Sequence, residues 1–142
     1  MAMLEVTTLL ATLCCGVFFG AALYISLVQH PAALETGNEF ATRFFGPMYR
    51  RAARLQASLA LVGCASAVLA WLSGAGALWL AAAVVIGSVI PFTLIVIKPV
   101  NDALLRNRDA ASEVATLLTR WSYLHWARTG ASGLAFLLCL VG

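Results

Sequence analysis

Charge is what this chain has least of. Only 11% of its 142 residues are Asp, Glu, Lys or Arg, against about a quarter in a soluble domain. The shortage excludes an ordinary water-soluble globule, a disordered tail and a nucleic-acid module, and no polybasic tract argues for nucleic acid as a partner. Histidine is equally scarce: there are two, His30 and His125, in neither an HxxxH nor an ExxH spacing. The four cysteines, Cys14, Cys15, Cys64 and Cys139, lack zinc-type spacing. They read as small apolar packing residues, although Cys14 or Cys15 could meet Cys139. The N-terminus has no basic leader and no convincing cleavage site, so the first apolar stretch is expected to be retained. Alternation of apolar and polar residues is missing as well, which argues against a transmembrane β-barrel.

What fills the chain is hydrophobic sequence, 62% of it. One bilayer crossing takes about 20 apolar residues. Four stretches qualify, at about 6–29, 53–72, 77–98 and 120–141. A backbone in lipid must satisfy its own hydrogen bonds, so each is expected to be a helix. The expected fold is all-α, an up-down four-helix bundle embedded in a membrane as a single domain over residues 1–142. The second and third spans are separated only by Ser73-Gly74-Ala75-Gly76, a tight turn. The links from His30 to Arg54 and from Lys98 to Arg120 are long and charged, and an up-down bundle puts both on one side.

All nine basic residues fall on that side: Arg43, Arg50, Arg51, Arg54, Lys98, Arg106, Arg108, Arg120 and Arg128. The positive-inside rule makes it cytoplasmic, with both termini on the other face. The expected location is the bacterial inner (cytoplasmic) membrane. Trp71 and Trp79, at the far ends of the second and third spans, read as interfacial belt residues. Phe40, Phe44 and Phe45 read as interfacial anchors in the first long link.

Small residues mark helix seams in lipid. Gly16 and Gly20 have the GxxxG spacing. Ala53, Ala57, Ala60, Cys64 and Ala67 form a three-four row, and Gly130 and Gly133 lie in the fourth span. These seams suit either the bundle itself or a homo-oligomer. Pro91 should kink the third span, and Pro99 should end or bend it.

The polar residues gather at the basic end: Gln29 and His30, Gln56, Asn101 and Asp102, and the stretch Arg120–Arg128. Arg128 lies 14 residues from Gly142, roughly 21 Å of helix at about 1.5 Å per residue. In a core about 30 Å thick that leaves it inside the apolar layer, where facing lipid costs at least about 2.5 kcal/mol. It is therefore expected to point into the bundle, with Asp102, Glu35 or Asn101 as partner. Trp121 and His125 share its helical face by their four- and three-residue spacings. A neutral histidine there can serve as a base or a ligand. The bland alternative is a structural Arg–Asp pair with His125 as a hydrogen-bonded spacer. A solvated surface is the expected place of Glu35 and Glu39, and the membrane boundary that of His30.

At these residues the sequence resembles the small four-helix membrane proteins grouped with the fungal anthrone oxygenases. The matching stretches are Ile25–Leu34 (ISLVQHPAAL), Pro47–Leu61, Pro91–Leu104 (PFTLIVIKPVNDAL) and Arg120–Arg128 (RWSYLHWAR). The resemblance implies oxygenation of an acidic, polycyclic aromatic carbon with no evident bound cofactor. A base removes the activated proton and the carbanion meets O2. On this reading His125 is the base, and Arg128 and Asn101 stabilise the developing oxyanion. Trp121 and Tyr123 stack on the ring, with Gln56 also assigned to substrate binding. The partners are then the lipid bilayer and a hydrophobic small-molecule substrate. Two alternatives stand beside it. One is a metal or haem protein, with His30, His125, Glu35 and Asp102 as candidate metal ligands. The other is a non-enzymatic small-molecule-binding, transporter-subunit or assembly protein of the membrane.

Overall fold

A computed structural model of the chain describes residues 2–106 and 111–142; Arg108 lies outside them. Four long helices account for nearly all of the described residues. They are α1 (Ala2–Glu35), α2 (Asn38–Ala75), α3 (Ala77–Arg106) and α4 (Ala111–Val141). Each is long and apolar enough to cross a membrane. Only 28% to 39% of the most apolar window of each is buried, so most of the aliphatic surface faces outward. Leu9, Leu13, Val84, Ile95 and Leu137 are exposed, while Ser26, Gln56, Asn101, His125 and Arg128 are buried. So apolar an exterior, with the scarce polar groups turned inward, is untenable in water and natural in lipid. The chain is an integral membrane protein.

The helices run well beyond the apolar stretches. The first long link, expected between spans, is helix except around Thr36 and Gly37. Gly37 has φ 110° and donates its N–H to the Leu34 carbonyl at 3.0 Å, a conformation that suits a residue without Cβ. From Asn38 the helix continues unbroken through Pro47. Charge hid this segment from a hydropathy reading. Its apolar residues Ala41, Phe44, Phe45, Met48 and Ala52 nevertheless recur at helical spacing, and all five belong to or border one core cluster. Between α2 and α3 the expected tight turn is present. Gly74 and Gly76 carry it at φ 95° and 99°.

Two helices widen by a residue at corresponding places. In α1 the turn Ile25–Gln29 is a π-turn, with the His30 N–H donating to the Ile25 carbonyl. In α3 the same happens over Thr93–Ile97, with the Lys98 N–H donating to the Thr93 carbonyl. In each case a proline follows immediately, Pro31 or Pro99. Proline brings no N–H, and its ring presses on the carbonyl one turn earlier, so the turn opens to a five-residue step. Pro91 lies inside α3 two residues before its widened turn, and Pro99 does not end α3, which continues to Arg106.

The core forms two clusters. One is built on small residues, including Ala11, Cys15, Ala60, Ala67, Ala82 and Ala135, filled in by Phe18, Ile86 and Trp79. Trp79 is therefore a core residue, 4% exposed, and not the belt residue expected; Trp71 does remain exposed. Between α1 and α4 the packing is reciprocal. A Cβ on Gly16 would come within 2.9 Å of the Phe136 ring, and one on Gly133 within 2.9 Å of the Phe19 ring. Gly20, the other half of the GxxxG spacing, has nothing within 4 Å. The thiols of Cys15 and Cys139 do meet across the same pair of helices, both as free cysteines. The second cluster lies at the basic end and joins Ile25, Phe45, Ile97, Leu104, Leu118 and Trp121.

Candidate functional site

The widened turns lie on either side of a cavity of about 170 Å³ whose walls come from all four helices. Phe18 and Ile25 line it from α1 and Tyr49 and Gln56 from α2. Thr93 and Asn101 contribute from α3, and Trp121, His125 and Arg128 from α4. Two of its wall residues, Ala57 of α2 and Leu94 of α3, are also exposed on the outer surface.

The three α4 residues come inward together, as their spacing requires. His125 is 2% exposed and Arg128 9%. The partner of the guanidinium is none of the three expected. Arg128 Nη2 donates to Gln56 Oε1, and its Cζ lies 5.1 Å from the centre of the Phe18 ring, a cation–π contact. Asp102 is bound instead to Lys98 Nζ at 2.6 Å on a half-exposed face, Glu35 is exposed, and Asn101 serves Trp121. Facing the same end of the bundle did not bring these groups into contact with the guanidinium. The guanidinium is left without a carboxylate among the described residues, and its Nε has no hydrogen-bond partner; neither has Gln56 Nε2.

Trp121 organises the aromatic side. Its Nε1–H donates to Asn101 Oδ1 at 2.8 Å. Its ring centroid lies 4.7 Å from that of His125 and 4.9 Å from that of His30, and the Phe45 ring meets it edge-on at 5.4 Å. Phe45 is thus buried core, not an interfacial anchor. His30 is likewise buried, and its Nε2 is unpartnered. The two histidines therefore approach one another through a shared indole. Tyr123 does not join them. It is 74% exposed and outside the cavity, because two residues from Trp121 and two from His125 is the far side of a helix.

The candidate metal set does not assemble. Among the described residues no three His, Cys, Asp or Glu side chains group as metal ligands. Two residues that the sequence reading passed over do belong to the site. Ser26 Oγ lies 2.9 Å from His125 Nδ1 and 3.0 Å from Thr129 Oγ1. The signal for Thr129 was available, since a hydroxyl four residues after an inward histidine shares its face. Ser26 could not be placed without knowing that the α1 turn widens.

The cavity thus holds one imidazole, an amide and a guanidinium with unsatisfied donors, and an indole wall. That set can accept a proton and donate hydrogen bonds to an oxygen that gains charge. A family model described as anthrone oxygenase matches residues 45–138, which include Gln56, Asn101, Trp121, His125 and Arg128. Over 122 residues the chain is 32% identical to an anthrone oxygenase, tpcL, of Aspergillus fumigatus, covering 78% of this chain and 76% of that protein. No solved structure matches.

Proposed function

The chain belongs to the anthrone oxygenase family, and from that premise we propose that it is a membrane oxidoreductase of oxygenase type. It acts on a lipophilic polycyclic aromatic bearing an acidic methylene, an anthrone or a near relative. The observation that carries the reading is the pairing, in one cavity, of an imidazole with donors that lack acceptors: Arg128 Nε and Gln56 Nε2.

His125 takes a proton from the activated methylene. The electrons left behind delocalise onto the ring-ketone oxygen, turning it into an oxyanion. Arg128, Gln56 and Asn101 are the donors for that oxygen, which is worth about 10²–10³ in rate per well-placed donor. Trp121 offers a face for the ring system. The carbanion carbon adds O2, and protonation gives the hydroperoxide. Loss of the second C–H proton breaks the O–O bond, leaving a ketone and releasing water. The balance is CH2 + O2 to C=O + H2O, with no external reductant.

The exposure of the wall residues Ala57 and Leu94 suits a substrate arriving from the bilayer between α2 and α3. By its basic residues the site lies toward the cytoplasm in an up-down bundle whose termini face the other side. Purified protein in lipid nanodiscs, given an anthrone under 18O2, is expected to consume one O2 per anthraquinone formed, well above the protein-free rate. One labelled atom should enter the new carbonyl and the other the water. Turnover no faster than the protein-free control would overturn the assignment.

A further inference from the structure

Three polar contacts close a circuit around His125. Ser26 Oγ is 2.9 Å from Nδ1 of the imidazole. The same oxygen is 3.0 Å from Thr129 Oγ1. Thr129 Oγ1 in turn donates to the His125 main-chain carbonyl at 2.9 Å. All of these groups are buried. Each contact needs one hydrogen, and each hydroxyl has one to give. The carbonyl has none, so the Thr129 hydrogen fills the carbonyl contact. Thr129 Oγ1 must then accept from Ser26, which uses the Ser26 hydrogen. Ser26 Oγ must then accept from Nδ1. Any other arrangement leaves two buried lone pairs facing each other across one contact.

From this count we infer that Ser26, held in turn by Thr129, fixes His125 as the Nδ1–H tautomer and leaves the Nε2 lone pair to the cavity. The inference rests on the proposed role of His125 as base. Ser26 and Thr129 are positioning residues: Ser26 touches the imidazole, Thr129 touches Ser26, and neither touches substrate. The π-turn Ile25–Gln29 acquires a purpose here, because Ser26 is one of its residues. The proline that widens α1 thereby helps set which nitrogen of a histidine on α4 can take a proton.

With only two histidines in the chain, the tautomer can be read directly. In 15N-histidine-labelled protein, with His30→Gln used for assignment, His125 is expected to show a protonated Nδ1 and an unprotonated Nε2. Thr129→Val keeps the shape and removes the acceptor for Ser26. The Ser26 hydrogen then turns to Nδ1, so the spectrum should reverse. On an anthrone, kcat should fall about tenfold to hundredfold with KM little changed. Thr129→Ser should restore both readouts, and Ser26→Ala should lose the single-tautomer signature. A protonated Nε2 in the wild type, or an unchanged spectrum in Thr129→Val, overturns the inference. The spectra do not depend on turnover. If they come out as expected while the wild type leaves anthrone untouched, the functional reading falls and the tautomer assignment stands.

Discussion

Arg128 carries a positive charge into an apolar layer and finds an amide and a phenyl ring there, with no carboxylate among the described residues to neutralise it. Breaking up a buried charge arrangement by removing one partner is costly, whereas replacing all of it with apolar side chains is often neutral or stabilising by about 1–4 kcal/mol. The double variant Arg128→Met/Gln56→Leu is therefore expected to melt no lower than the wild type in detergent. Its turnover should fall at least about a hundredfold, the scale for losing an oxyanion donor. A purely structural Arg128 would give the reverse, a lower melting point with turnover kept in the surviving fold. Tyr123 is the complementary control. It lies outside the cavity, so Tyr123→Ala should leave kcat/KM on an anthrone within about twofold; a large loss would place it in the site after all. At this scale the sequence disclosed which α4 residues turn inward, since spacing fixes a face. It did not disclose Gln56 as the partner of Arg128, because contact between two helices depends on depth and rotation that neither helix encodes alone.

The π-turns ahead of Pro31 and Pro99 set the rotation of α1 and α3 below them. Restoring an N–H at residue 99 allows the turn Thr93–Ile97 to close to regular helix, which rotates Asn101 away from the Trp121 Nε1–H that it accepts. Pro99→Ala should thus cut turnover without lowering the melting point. Equal activity with an unchanged Trp121 fluorescence environment would argue against this role. The α1–α4 seam is expected to behave oppositely. Gly133→Leu must displace the Phe19 ring and should cost about 1–3 kcal/mol of stability, seen as a lower melting point. Helix existence was plain from the apolar stretches, and the Gly74–Gly76 turn from its composition. The helical continuation through Phe40–Arg54 was obscured because charges there interrupt the hydropathy signal while the apolar face persists beneath it. The prolines announced a disturbance but not its form, since a proline alone does not say whether a helix bends, stops or widens.

Across the whole molecule the exterior is aliphatic, and histidine, arginine and amides lie within, set among apolar core clusters. This much followed from composition, because so apolar a chain has few polar groups and those cannot face lipid cheaply. The location of the cavity did not follow, as it arises where two widened turns and an aromatic cluster meet. Its wall residues Ala57 and Leu94 are shared with the outer surface, which fits a substrate with more affinity for lipid than for water. Central to all of this is His125 as the group that removes the methylene proton. The direct measurement is the initial rate of O2 uptake by His125→Ala in nanodiscs, on an anthrone, beside the wild type and with its fold checked by thermal melting. A folded variant whose rate has dropped by about 10²–10⁴ supports that role; a folded variant that keeps the wild-type rate contradicts it.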